Sequence, residues 1–254
     1  MTAPALEHVR RGGGEPLVLL HPLGGSLVVW EPVLDRLAAE RDVIALDMPG
    51  FGGSPALADG AAPTPQGLAA GVAAFLDSLG IQDAHLAGNS LGAWVAIELA
   101  RSGRARSVTG LAPAGFWVRP LGPRAGIEPR TLARLALPLL PLLSRSARGR
   151  SLALGGAVAH PERVPPATAR RLVRDYARSP AFVGANAAMR SGLVGEVEQL
   201  SVPVTLAWAE HDRLVTRPKR PVRGATMVDL PGCGHIPTWD DPELVSRVVL
   251  EGSR

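Results

Sequence analysis

Through the first 114 residues, short apolar runs alternate with stretches of helical spacing. Pro16–Leu20, Asp42–Leu46, His85–Gly88 and Ser107–Leu111 are brief and mostly apolar, the pattern of strands buried on both faces. Between them, Trp30–Ala39 sets Trp30, Val33, Leu34 and Leu37 at helical intervals. Thr64–Leu79 ends at Gly80, and Leu91–Arg101 is followed by Gly103, a glycine where a helix cap is expected. Such β/α alternation predicts an α/β fold: a mostly parallel sheet flanked by helices, with right-handed crossovers. The pattern breaks over 115–197, where no strand is evident and Pro, Gly and Arg abound. There Arg130–Leu143 is helical in spacing but interrupted by Pro138 and Pro141, which predicts short or kinked helices. Pro166–Arg178 reads as a further helix. The alternation resumes with strands over Val202–Trp208 and Ala225–Leu230 and a helix over Pro242–Leu250. The expected organisation is one core formed by 1–114 and 198–254, with 115–197 inserted as a helical cap, or lid.

A chain of 254 residues, 46% hydrophobic and 20% charged, can bury one sizeable core. No apolar stretch approaches the ~20 residues that span a bilayer, so no stable membrane insertion is expected. The opening Met1–His8 lacks a cationic segment followed by an apolar one, and Cys233 is the only cysteine. These features point to a cytoplasmic protein without an internal disulfide. The net charge is only +4, but its distribution is uneven. Between Gly115 and Gly195 stand 13 arginines against Glu128, Glu162 and Asp175, a net +10 that leaves −6 elsewhere. A solvated face accounts for this. Attraction of an anionic substrate, or weak association with a membrane surface, is the sharper alternative. Nucleic acid is not expected as a partner, since neither a recognised motif nor aromatic interleaving accompanies the arginines.

The strongest chemical signal is Gly88-Asn89-Ser90-Leu91-Gly92, set between an apolar run and a helical one. A chain that leaves a strand and enters a helix so abruptly holds its central residue in a strained conformation. Small residues two places either side then avoid clashes. The hydroxyl of Ser90 would be exposed at the carboxyl end of the sheet, beside a helix N-terminus that favours negative charge. Serine is a poor nucleophile alone and needs a base, which in turn needs an orienting acid.

A series of motifs in order makes the chain resemble the α/β-hydrolase fold family of the helical-cap type. They are His21-Pro-Leu-Gly-Gly25, Asp47-Met-Pro-Gly-Phe-Gly-Gly-Ser54, the pentapeptide around Ser90, and the Asp212 and Gly234-His235 loops. The resemblance spans nearly everything outside the cap. It implies Ser90 as nucleophile, Asp212 as acid and His235 as base, each on a loop after a strand. It also implies an oxyanion hole from the backbone N–H groups of Leu23 and Leu91. His21 and Asp47 are read as structural. Glu210 is a weaker candidate acid, His211 beside Asp212 is not read as a metal pair, and Cys233 is read as incidental. Small departures stand at Pro22, Ala93 and Ala209, and the few residues before Pro16 leave little room for the family's leading hairpin.

A serine rather than a carboxylate at position 90 points away from dehalogenase and the usual epoxide hydrolase chemistry, and towards acyl transfer without metal or organic cofactor. The leading expectation is a small carboxylic ester with an apolar acyl part. Its motive is the set of cap leucines (132, 135, 137, 139, 140, 142 and 143), which would line a pocket or pack the cap onto the body. The alternatives are carbon–carbon bond hydrolysis of a vinylogous diketone acid held by a cap arginine, and a non-catalytic ligand-binding member of the fold.

Overall fold

In the computed structural model, which describes residues 5–122 and 129–254, seven strands form one sheet in the order β1-β3-β2-β4-β5-β6-β7. Arg124 and Glu128 of the cationic segment lie outside the described residues. The strands are β1 (His8–Gly12), β2 (Pro16–Leu20), β3 (Asp42–Leu46), β4 (Ala84–Asn89), β5 (Ala105–Leu111), β6 (Val204–Ala209) and β7 (Thr226–Leu230). All pairings are parallel except β1 with β3. A leading strand therefore exists despite the short stretch before Pro16. Its sequence, His-Val-Arg-Arg-Gly, carries no apolar alternation, and it is held as an edge by backbone pairing, with His8 opposite Leu46.

The helices are α1 (Leu34–Ala38), α2 (Pro65–Ser78), α3 (Leu91–Arg101), α4 (Pro129–Ala136), α5 (Leu140–Leu143), α6 (Ala147–Leu154), α7 (Pro166–Arg178), α8 (Phe182–Ser191) and α9 (Pro242–Glu251). Successive strand residues bury into two different layers, as a pleated strand covered on both faces requires. Val18, Leu20, Ile44 and Leu46 join α2 and α3 on one face. Leu17, Leu19, Val43 and Ala45 join α1 and α9 on the other. The helix expected over Trp30–Ala39 is split into a 3-10 turn, Leu27–Trp30, and the single turn of α1.

Between β5 and β6 the described residues form helices and connecting segments. Pro138 and Pro141 divide the apolar stretch into α4, a 3-10 turn and α5, as the prolines imply. The leucines are arranged otherwise than their spacing suggested. Leu132, Leu135, Leu139 and Leu142 are 55–73% exposed, whereas Leu140 is buried. These four face largely into solvent, whereas Leu140, with Leu137 packed beside it, joins the buried layer that includes α1 and α9, as the packing alternative expects. The reason lies on the opposite face of α4. Arg130 Nη2 donates to Ser179 O (2.5 Å) and Arg134 Nε donates to Ala177 O (2.7 Å). Those carbonyls stand at the C-terminus of α7, where carbonyls lack intrahelical donors and the helix dipole favours cations. Two arginines one helical turn apart thus turn the polar face of α4 inward and its leucines out.

Candidate active site

Ser90 lies between the end of β4 and the start of α3, with φ 56° and ψ −112°. A side chain at Gly88 would come within 2.2 Å of Gly92 C, and one at Gly92 within 2.1 Å of Leu20 O. Both glycines are therefore required by the packing of the turn against itself and against β2. Ser90 N–H donates to Leu111 O (2.9 Å), and Ser90 O accepts from Ala93 N (3.1 Å) and Ala114 N (3.2 Å). The serine is 4% exposed. The neighbouring Asn89, also buried, donates from Nδ2 to Leu111 O (3.0 Å) and to His235 O (2.9 Å).

Asp212 follows β6. Its Oδ1 accepts from the N–H groups of Leu214 (2.7 Å) and Val215 (3.0 Å), which fixes the carboxylate in its own loop. The other oxygen, Oδ2, meets His235 Nδ1 at 2.9 Å, and the two side chains are 2% and 7% exposed. A carboxylate only accepts, so Nδ1 carries the proton and Nε2 of the neutral ring is left as base. Glu210 is occupied elsewhere: its Oε2 accepts from Gly232 N (2.8 Å). His211 is exposed, and its N–H donates to Cys233 O (2.8 Å). These two bonds tie the loop after β6 to the loop after β7. Burial pushes the Cys233 thiol up to about 12, so it stays protonated and unreactive at neutral pH.

The loop after β2 turns at Pro22-Leu23-Gly24-Gly25, closed by Gly25 N–H to Pro22 O (2.9 Å), with Gly24 at φ 72°. His21 supports it from beneath. Met48 N–H donates to His21 Nε2 (3.0 Å), so Nδ1 holds the proton and donates to Pro22 O (2.8 Å). Complete burial lowers the His21 pKa below its ordinary 6.5, which keeps the ring neutral as both bonds require. Asp47 accepts from Leu27 N (2.6 Å) and Gly53 N (2.7 Å), a structural tie between two loops. Leu91, the first residue of α3, has an N–H without an intrahelical acceptor. Leu23 occupies the turn above His21.

Two aromatic rings crowd this turn. Gly24 has room for no side chain, because a Cβ there would lie 2.7 Å from a Tyr176 ring carbon and 3.0 Å from one of Phe182. The rings meet edge to face at 5.1 Å, and the Arg130 guanidinium stands 5.0 Å from the Phe182 centroid. Ser26 Oγ donates to Asp175 Oδ2 (2.6 Å), joining the end of the same turn to α7. Burial pushes the Asp175 pKa up, against the Ser26 bond and Arg171, which lower it.

Sequence reasoning missed three contributors: Asn89, the Tyr176–Phe182 pair and Asp240, whose Oδ2 accepts from Gly234 N beside His235 (2.8 Å). Asn89 had a signal, as a polar residue inside a fully buried strand. Asp240 had none, since Asp240-Asp241-Pro242 reads as a helix start, and Asp241 does cap α9 through Leu244 N (2.9 Å).

A profile of the alpha/beta hydrolase family matches residues 17–248. An epoxide hydrolase from Mycobacterium tuberculosis is 35% identical over 191 residues, 68% of this chain and 87% of that protein. A pimeloyl-[acyl-carrier protein] methyl ester esterase from Aeromonas hydrophila is 39% identical over 127 residues, 49% of this chain and 47% of the esterase. The solved structure of a thermophilic esterase from Thermogutta terrifontis superposes with a TM-score of 0.72 at 21% identity, over 97% of this chain and 92% of that one. At that identity the likeness is one of fold.

Proposed function

The chain belongs to the alpha/beta hydrolase family, and from that premise we propose a serine hydrolase that cleaves a carboxylic ester with an apolar acyl part. The observation that carries this reading is the 2.9 Å contact of His235 Nδ1 with Asp212 Oδ2, which leaves Nε2 free to serve as the base for Ser90 at its strained turn. Ser90 Oγ attacks the ester carbonyl as His235 Nε2 takes its proton. The tetrahedral oxyanion is held by the N–H groups of Leu23 and Leu91. Collapse expels the alkoxide, which receives the proton from His235 and leaves as the alcohol. Water then attacks the acyl-enzyme, giving up a proton to His235, and the carboxylic acid departs as Ser90 is reprotonated. Asp212 holds the ring through Nδ1.

The apolar acyl group is supported by Tyr176 and Phe182, packed against Gly24, rather than by the outward leucines. Residues 115–197 act as the lid in this reading, and they move to admit substrate to a serine only 4% exposed. A cytoplasmic location fits a single buried cysteine. The cap arginines give at most weak attachment to anionic surfaces, to be read as vesicle binding that fades with added salt. Among the described residues no helix is long and apolar enough to cross a membrane.

The competing chemistries part on named residues. Attack of Ser90 on an epoxide carbon would form an ether with no carbonyl for water to attack, so turnover by this route would stop. A diketone acid needs a cation for its carboxylate. Arg130, the buried arginine nearest the turn, is engaged by Ser179 O and lies over Phe182. A purely binding role would leave Ser90 unreactive.

The test is fluorophosphonate labelling followed by intact mass on wild type and Ser90→Ala. One adduct on wild type and none on the variant establishes the nucleophile. Panels of esters, epoxides and vinylogous diketone acids then decide the substrate class. A folded wild type that takes no label would reject the enzymatic reading.

A further inference from the structure

Beyond the three reacting side chains, one buried carboxylate joins the His235 loop to the helical segment above it. Asp240 is 4% exposed and follows a 3-10 turn, Pro237–Trp239. Its Oδ2 accepts from Gly234 N (2.8 Å) and Ala159 N (3.1 Å), and its Oδ1 from His160 N (2.7 Å). One carboxylate thus takes three backbone N–H bonds, one from the residue before His235 and two from the segment between α6 and α7. The residue after His235 is tied to the same segment, by Ile236 N–H to Ala157 O (2.8 Å). Gly234 seals the contact, since a Cβ there would stand 2.7 Å from Ala159 N. Thr238 Oγ1 anchors the 3-10 turn to the body through Val29 O (2.5 Å).

We propose that Asp240 is a positioning residue for His235, acting as a clamp that makes 157–160 and the His235 loop one mechanical unit. Charge-assisted bonds to a carboxylate are stronger than neutral ones, and burial leaves no water to replace them. The orientation of His235 then depends on how 157–160 is seated. When the helical segment moves to uncover Ser90, this edge stays with the base, and the opening occurs elsewhere along 115–197. The proposal rests on the reading of His235 as the base.

An amide at position 240 has one acceptor and would turn an NH2 donor towards at least one of the three N–H groups. In Asp240→Asn, fluorophosphonate labelling at Ser90 should slow about tenfold, the worth of one lost charge-assisted bond. The pH midpoint of labelling should shift, because it reports His235. Backbone amide exchange at Gly234, Ala159 and His160 should quicken together. Gly234→Ala keeps every charge and donor but wedges the two segments apart, and it should shift the same midpoint if Asp240→Asn fails to fold. A merely structural Asp240 would lower the melting temperature and leave the midpoint at its wild-type value, which would overturn the clamp. Amide exchange that quickens at Ala159 and His160 but not at Gly234 would do the same. Failure of the base assignment looks different: wild type itself would not label, whatever the exchange rates.

Discussion

Asn89 Nδ2 lies 2.9 Å from the carbonyl oxygen of His235, so the residue beside the candidate nucleophile holds the main chain of the candidate base. The same amide reaches Leu111 O at 3.0 Å, which sets β4, β5 and the His235 loop in fixed relation. Asn89→Ala would leave the buried His235 carbonyl without this donor, at a cost of about 1–3 kcal/mol, while Leu111 O keeps the Ser90 N–H. Asn89→Asp would replace the donor with a charge facing both. We expect labelling at Ser90 to fall in both variants, and further in the aspartate. Equal rates in wild type and Asn89→Asp would show that the bridge does not matter.

Ser90 has a φ that favours glycine. Ser90→Gly should therefore abolish activity while raising stability by about 1 kcal/mol. For a chain of this size that corresponds to a rise of about 2–4 °C in melting temperature. Ser90→Ala keeps the strain and should gain little. Calorimetry on both variants separates relief of strain from loss of the hydroxyl.

Asp212 has two jobs on two oxygens, so its substitutions should differ. Asp212→Asn keeps an acceptor for Leu214 and Val215 but turns an NH2 towards His235 Nδ1, favouring the wrong tautomer. We expect kcat to fall by about 10⁴ with the fold intact. Asp212→Ala should lose comparable activity and also stability, because its loop loses both ties. Steady-state rates and melting curves on the pair test this.

The Ser26–Asp175 contact carries a pH signature. Burial raises the Asp175 pKa above its ordinary 3.8, so the folded chain binds this proton more tightly than the unfolded chain. Its contribution to stability is present below 3.8 and is lost as pH rises through the folded-state value. Asp175→Asn keeps an acceptor for Ser26 and never ionises. It should match or exceed wild type in urea midpoint at pH 7, with the difference shrinking towards pH 4. A variant that loses ground as pH rises would contradict this.

The exposed and buried leucines give a sharper contrast. Leu135→Ser, at a site 73% exposed, should change stability by less than about 0.5 kcal/mol and leave ester KM unaltered. Leu140→Ala, at 4% exposure, should cost about 2–5 kcal/mol. Phe182→Ala should raise KM for long-chain esters more than for acetate esters. If Leu135→Ser instead weakened long-chain substrates, the outward leucines would be part of the binding site.

What could be read from the sequence was local or two-sided. Gly88 and Gly92 are forced by contacts within five residues and β2, so the elbow shows in the spacing. β2 and β3 are apolar on both faces, so their runs are continuous. The leucines of α4 and α5 misled because spacing reports that one face is apolar, not which neighbour it meets. Here the carbonyls ending α7 drew Arg130 and Arg134 inward. Asn89 and Asp240 bind backbone groups far along the chain, and such partners leave no spacing to detect. β1 is held by its ladder with β3 and by Arg10 on Asp42, and neither requires apolar alternation.

Leu132, Leu135, Leu139 and Leu142 have a colloidal consequence. Two copies attract through such surfaces, while their shared arginines repel. Repulsion acts over about 10 Å at 0.1 M ionic strength and shrinks as salt is added, and sulfate strengthens apolar burial. Solubility should therefore decline with ionic strength, so that a dilute buffer keeps the chain dispersed and ammonium sulfate drives it to self-associate early.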